Sequence, residues 1–228
     1  MAARGRLSRW LPPAARRWLL RGVGAVLLLC LPFWLLVRGC LWLAVDRGWP
    51  PGLALVGAAA LATVAVAAST CWLGARIVPR PRGRWRGWRV AVTLAACAVI
   101  VFAGHSLVVL SELHAKGPAE RAEYSELHPT LRLAIGSLRI LDDRVLVTDV
   151  ARRVEDYAGM GLPAPSRSLH IEQSDGFVHA IDLRTLGRGA IHNALLRLYF
   201  EAMGFDTRRH VGTADHLHVE LPSRRLAG

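Results

Sequence analysis

SLHIEQSDGFVHAIDL, residues Ser168 to Leu183, concentrates potential metal ligands on a stretch that reads as a β-hairpin closed by Ser174, Asp175 and Gly176. A three-residue turn sets Gln173 opposite Phe177, and so His170 opposite Ala180 and Ser168 opposite Asp182, with these last four side chains on one face. His170 and Asp182 are then diagonal neighbours whose side chains can close around one ion. A two-residue turn at Ser174-Asp175 pairs His170 with His179 instead and sends Asp182 to the opposite face. The register decides whether His170 or His179 is the ligand, and both stay open here. Asp215-His216-Leu217-His218, near the C-terminus, supplies the partner group of donors.

The chain around these stretches divides in two. Up to Leu110 it carries fourteen Arg and one Asp, whereas from Ser111 onward fifteen Lys plus Arg stand against sixteen Asp plus Glu. The formal charge of +12 therefore belongs to the N-terminal half, which also holds all eight Trp and all four Cys. Clustered arginine ordinarily raises nucleic-acid binding, because it neutralises phosphates. Here the clusters flank long apolar runs, so the expected partner is the lipid bilayer and not nucleic acid.

Three runs, Val23 to Val45, Gly52 to Leu73 and Val90 to Leu110, are each long enough for a helix to cross a hydrocarbon core of about 30 Å. Three transmembrane helices are expected over 23–110, after a basic segment 1–22, with Arg38 reaching toward headgroups from the end of the first. Arginines crowd the segment before the first run and the loop between the second and third, while Asp46 to Pro51 holds one. The positive-inside rule then predicts a multi-pass plasma-membrane protein with a cytoplasmic N-terminus and an extracytoplasmic C-terminal domain. Cys30, Cys40, Cys71 and Cys97 fall in the apolar runs and read as small hydrophobes, not as disulfide partners.

Residues 111–128 read as a polar tether that lifts a domain off the membrane, with His114 and His128 as exposed surface groups. The domain, 129–224, reads as α+β, an antiparallel sheet with flanking helices. The expected order is a helix through Leu141, a strand Val145 to Thr148 and a helix from Asp149 to about Ala158, followed by the hairpin. Then comes a helix Arg188 to Met203 with Ile191, Leu195, Leu198 and Ala202 on its packing face and Gly204 as its left-handed cap. Strands Phe205 to Val211 and Leu217 to Leu221 close the domain.

Ser168-Leu169-His170 followed by Ala180-Ile181-Asp182-Leu183 resembles the S-x-H-x-x-G-x-A-x-D-[LI] signature of the zinc D-Ala-D-Ala carboxypeptidases and dipeptidases, relatives of the hedgehog fold. Asp215-x-x-His218 resembles their closing [ED]-x-x-H. His170 and Asp182 lie twelve positions apart where the family has seven, and Val178 stands where its glycine should be, which implies a five-residue insertion in the hairpin. The likeness spans Arg144 to Pro222.

What the resemblance implies is a zinc peptidase. His170, Asp182 and His218 would hold Zn2+, with His179 as the runner-up ligand, and Asp215 would be the general base. His216 is the runner-up base, because it shares a strand face with His218 while Asp215 alternates away from it. Arg152 is the candidate for stabilising the developing oxyanion, with Arg153 and Arg167 as competitors. The implied substrate is a peptidoglycan stem peptide ending in D-Ala-D-Ala, or another short peptide. The competing expectation is an inactive domain that holds zinc and binds cell-wall peptide as a sensor or scaffold. Oligomeric state is not legible in these residues.

Overall fold

A computed structural model describes residues 12–77, 84–153, 168–212 and 214–222. Arg167 and most of the helix expected from Asp149 lie outside these residues, and Asp149 itself ends a strand.

The apolar half forms three long helices, α1 (Pro13–Leu41), α2 (Pro51–Ile77) and α3 (Arg84–Val108). Among the described residues, two stretches are long and apolar enough to cross a membrane, Pro51–Leu73 in α2 and Gly87–Val108 in α3. This corrects the expectation of three transmembrane helices, since α1 is not one of the two. Its uncharged core, Gly22 to Val37, is sixteen residues between Arg21 and Arg38, about 24 Å at 1.5 Å per residue, which falls short of the hydrocarbon thickness. α1 lies against α2, with Gly39 beside Ala58 and Leu36, Val37, Cys40 and Leu41 buried.

The second half is α+β, as expected. After a short helix α4 (Pro118–Glu123) come α5 (Pro129–Leu141), β1 (Val147–Asp149), β2 (Ala180–Arg184), α6 (Ala190–Met203), β3 (Asp206–His210) and β4 (His216–Glu220). The four strands make one antiparallel sheet in the order β1-β2-β4-β3. Alternation gives the sheet one apolar face, with Ile181, Leu183, Leu217 and Val219 buried, and one polar face. Asp182 pairs with His218, and His218 with Arg208, so these three stand in one row across the polar face.

α5 joins the halves. Its residues Leu131, Leu133, Ile135 and Leu138 share one continuous buried cluster with Leu36 and Leu41 of α1, Val99 and Ala103 of α3, and the apolar face of the sheet. Gly136 is where α5 crosses α3: a Cβ there would meet Ser106 Oγ at 2.1 Å. Arg132 donates to the Leu107 carbonyl at 2.7 Å, Arg139 to Val109 at 2.8 Å and Tyr124 Oη to Ser106 at 2.9 Å. Cations thus cap the carbonyl end of α3, where the helix dipole favours them.

Residues 111–128 are consequently folded onto the bundle, which corrects the expected tether. His114 and His128 are buried, not exposed. His114 Nδ1 lies 2.8 Å from the Val145 carbonyl, and His128 caps α5 by accepting from Thr130 N at 3.2 Å. Their short polar surroundings in sequence concealed these backbone partners.

α6 ends at Gly204 with φ of 94°, the left-handed cap expected there. Its buried face, however, is Asn193, Leu196, Phe200 and Met203, and the stripe Ile191, Leu195 and Leu198 is exposed. Arg38 does not reach out from α1: its guanidinium lies against Gly204, where a Cβ would meet Nη1 at 2.1 Å.

Candidate functional site

The hairpin forms only in part. Gln173 N donates to the Phe177 carbonyl at 2.9 Å, the pairing of the three-residue turn, but residues 168–177 are turns and coil and only Ala180 onward is strand. The loop instead folds back so that His170 enters the polar face of the sheet from beside β2. Its backbone carbonyl accepts from Arg152 N at 2.8 Å, which ties the loop to the end of β1.

Three donors converge there. His170 Nε2 lies 3.3 Å from His218 Nδ1 and 3.4 Å from Asp182 Oδ1, and His218 Nδ1 lies 2.8 Å from Asp182 Oδ1. His170 and Asp182 are buried at 4% and 3% exposure, and His218 is half-buried, so the group is desolvated yet open on one side. A cavity of about 450 Å³ opens onto them, lined also by Arg152, Ser168, Arg208, His210, His216 and Glu220.

The outer partners fix the inner atoms. His170 Nδ1 donates to the Val150 carbonyl at 2.7 Å, so the proton sits on Nδ1 and the lone pair of Nε2 faces the cluster. His218 Nε2 is held at 3.0 Å by Glu220 Oε2, a carboxylate behind a histidine whose other nitrogen faces the site. Burial would push the Asp182 carboxyl up, but the adjoining His170 and His218 rings outweigh it and hold the group ionised far below the usual carboxylate range. Burial alone would lower the His218 pKa, yet its bonds to Asp182 and Glu220 raise it above the ordinary histidine value. Without a metal, these two carboxylates favour the protonated ring of His218. With one, Nδ1 is the atom that exchanges its proton for the ion.

Two nitrogens and one carboxylate oxygen, oriented this way on an open face, fit a divalent cation, and the three atoms form a group able to hold a metal ion. The same residues were expected from the sequence as the ligand set. The donor types suit zinc, while other first-row divalent ions accept the same ligands.

The remaining expected residues fall in different places. Arg152 lines the cavity, pairs with Asp149 and reaches Asp182 Oδ2 at 3.4 Å, so it holds the outer oxygen of a candidate ligand. Asp215 is not brought to the cluster. It precedes β4 and alternates to the other face, where Arg209 grips it through Nε at 3.1 Å and Nη2 at 2.7 Å and Thr185 Oγ1 also donates to it. Those bonds hold its carboxyl well below the usual range. His216 does face the cavity. Its Nδ1 donates to the Ala214 carbonyl at 2.6 Å, which leaves the Nε2 lone pair directed inward, 3.6 Å from Asp182 Oδ2.

His179 is placed elsewhere, and it is not part of the first trio. Its Nε2 donates to both oxygens of Asp175, at 3.0 and 2.9 Å, and its ring packs edge-on against His128. His128, Asp175 and His179 form a second group of possible ligands. The tautomers count against an ion there. His128 is neutral, because burial first and the neighbouring His179 next push its pKa down to about 4, and Nδ1 already accepts from Thr130. Its proton is thus on Nε2, the atom that faces Asp175, where a metal would have to displace it.

Glu220, Arg208 and His210 line the cavity and were missed by the motif reading. Strand alternation was the available signal, because His216, His218 and Glu220 follow one another at a spacing of two. No protein-family model, no curated protein and no solved structure matches this chain.

Proposed function

We propose that the protein is a membrane-anchored zinc metallopeptidase that hydrolyses short peptides in the cell envelope, with stem peptides ending in D-Ala-D-Ala as the favoured substrates. One observation carries the reading: His170 Nε2, Asp182 Oδ1 and His218 Nδ1 meet within 3.4 Å of one another at the floor of an open cavity, each with its other polar atom held by Val150, Arg152 or Glu220. These are the residues that the family resemblance names as ligands. The two apolar helices, with arginines crowded between them, support a membrane hairpin whose connection faces the cytoplasm and whose cavity-bearing domain lies on the opposite side.

His170, Asp182 and His218 would hold the zinc ion, which would supply Lewis acidity toward a peptide carbonyl and its attacking water. The chain's own contribution is a dry, preoriented floor and a proton acceptor. His216 Nε2 is the acceptor in this arrangement, replacing Asp215, whose carboxylate is committed to Arg209. Arg208, at one end of the row, and Arg152, beside Asp182, line the cavity with guanidinium groups suited to a peptide carboxylate or a developing oxyanion.

The tied Asp215 also favours a second reading, a domain that holds zinc and binds envelope peptide without cleaving it. Zinc content and hydrolysis of D-Ala-D-Ala peptides, measured on the full chain in detergent, separate the two. The peptidase reading expects about one zinc per chain, lost in His218→Ala, kept in His179→Ala, with zinc-dependent release of D-Ala. One zinc without hydrolysis transfers the site to the binding reading. A folded chain that takes up no zinc ends both.

A further inference from the structure

The exposed stripe on α6 has no counterpart on the rest of the helix. Ile191, Leu195 and Leu198 are 75%, 57% and 59% exposed, one turn apart along a single face, while the salt-bridged pair Arg197 and Glu201 occupies the flank. Three aligned branched side chains in water on a small domain form a patch that calls for a partner.

The level of α6 in the molecule identifies the partner. α5 lies across the end of the helical bundle, from Cys40 of α1, which accepts from Thr130, to Val109 at the end of α3, which accepts from Arg139. α6 runs beside α5 in the opposite direction. Its start is joined to the end of α5 through Arg188 and Asp142, and its middle through Tyr199 Oη, which lies 2.6 Å from Ser137 Oγ and donates to the Ala134 carbonyl at 2.9 Å. The end of α6 then drops onto the flank of α1. Trp34 Nε1 donates to the Ala202 carbonyl at 3.3 Å, and Arg38 packs against Gly204. Trp34 lies seven residues inside the end of α1 at Leu41, about 10 Å down the helix axis. Ala202 belongs to the exposed stripe, so the stripe is continuous with the apolar flank of α1, where Leu31 and Trp34 are themselves exposed. At the far end of α5, Ile140 and Leu141 are exposed at the same level.

We propose that α6 is an interfacial helix, lying in the plane of the membrane with Ile191, Leu195 and Leu198 sunk into the acyl region of the leaflet on the domain's side. The occupant of the face is the lipid bilayer itself. The helix has the form of a surface-bound amphipathic segment, with an apolar stripe toward the chains and Arg197 and Glu201 toward the headgroups. The C-terminal domain is thereby seated in the leaflet, not merely joined to it through α3. The inference rests on the membrane reading of α2 and α3.

Nitroxide accessibility on the full chain in nanodiscs of phosphatidylcholine and phosphatidylglycerol tests it, with Cys30, Cys40, Cys71 and Cys97 replaced by alanine and a single label at position 195. Labels at Val101, an exposed residue of α3, and at Val211, an exposed residue after β3, report the lipid and water limits. The expected result is a ratio of oxygen to nickel-chelate accessibility at 195 that is severalfold above that at 211 and close to that at 101. A ratio matching 211 overturns the proposal, as does low accessibility to both reagents, which means that protein covers the face. If the label at 101 itself reads as aqueous, the membrane reading of α3 fails along with it. Hydroxyl-radical footprinting of the unsubstituted chain in the same nanodiscs requires no variant. Protection of Leu195 and Ile191 alongside oxidation of Val211 supports the insertion, and equal oxidation overturns it.

Discussion

Glu220 shows how a residue outside the candidate ligand set governs it. Its carboxylate holds Nε2 of His218, so Glu220→Gln removes the charge that orients and enriches the ring. Losing such a partner costs roughly 10–100-fold in metal affinity, and a competition titration against a zinc chelator should read that drop with the fold intact. His216 and Asp215 separate in the same way. His216→Ala is expected to keep its zinc while turnover of a D-Ala-D-Ala peptide falls by about 10²–10⁴-fold, the usual contribution of a general base. Asp215→Asn, which alters a group facing Arg209, is expected to leave both zinc content and turnover near the parent values. The acidity of the site follows from His218. Because its pKa is raised, Nδ1 carries a proton up to a higher pH than an ordinary histidine, and zinc must displace it. Zinc affinity should fall as pH drops through that raised value. In the metal-free protein the sign reverses: the imidazolium between Asp182 and Glu220 stabilises the fold fully below about pH 6.5, and this contribution fades as pH rises through the raised folded value. Calorimetry of the apo and zinc-loaded chain across that window checks both signs.

Between elements, the tightest constraint is the crossing of α5 over α3. Gly136 has no room for a side chain, since Ser106 Oγ and Cβ stand 2.1 and 2.4 Å from where a Cβ would be. Gly136→Ala therefore has to lift α5, which carries the Arg132 and Arg139 caps and the apolar support of the sheet. Overpacking of this kind costs about 1–3 kcal/mol, well above the small gain in helix propensity that alanine brings. A lowered melting temperature in detergent should accompany it, and Ser106→Gly in the same chain should restore part of the loss. At β1 the irregular register brings Asp149 opposite Asp182, and Arg152 bridges the two carboxylates. This bulge aims an arginine at the ligand from a strand only three residues long.

On the scale of the whole molecule, bundle and sheet share one core. Leu131, Ile135 and Leu138 are buried in a cluster that includes both α3 and β4, so a chain cut after α3 exposes one side of α5. A fragment from Lys116 to Gly228 is therefore expected to aggregate or stay molten, while the full chain in detergent gives a single sharp peak in size-exclusion chromatography. Recovery of a monomeric, cooperatively melting fragment would show that the bundle is dispensable to the domain. The layered order also sets where chemistry occurs. α5 and α6 lie between bundle and sheet, and the candidate ligands His170, Asp182 and His218 are on the opposite, polar face, directed away from the helical bundle.

The local pattern of the chain determined much of this. Period-two alternation placed His216 and His218 on one strand face, arginine bracketed the apolar runs, Gly204 ended α6, and the family resemblance named Asp182 and His218 as candidate ligands with His170 or His179 beside them. Periodicity also separated the two halves, because 3.6-residue and two-residue patterns need no distant partner to be recognised. What it did not contain was the choice between chemically equivalent options. His170 over His179, His216 over Asp215, and the buried over the exposed stripe of α6 depend on which surface each meets. His114 and His128 became buried groups only because carbonyls and amides from distant segments came to meet them. Arg38 was drawn from the expected headgroup region to Gly204 for the same reason. Sequence specifies faces through local sterics and hydrophobic spacing, whereas the pairing of one face with another is a long-range contact that only the tertiary fold decides.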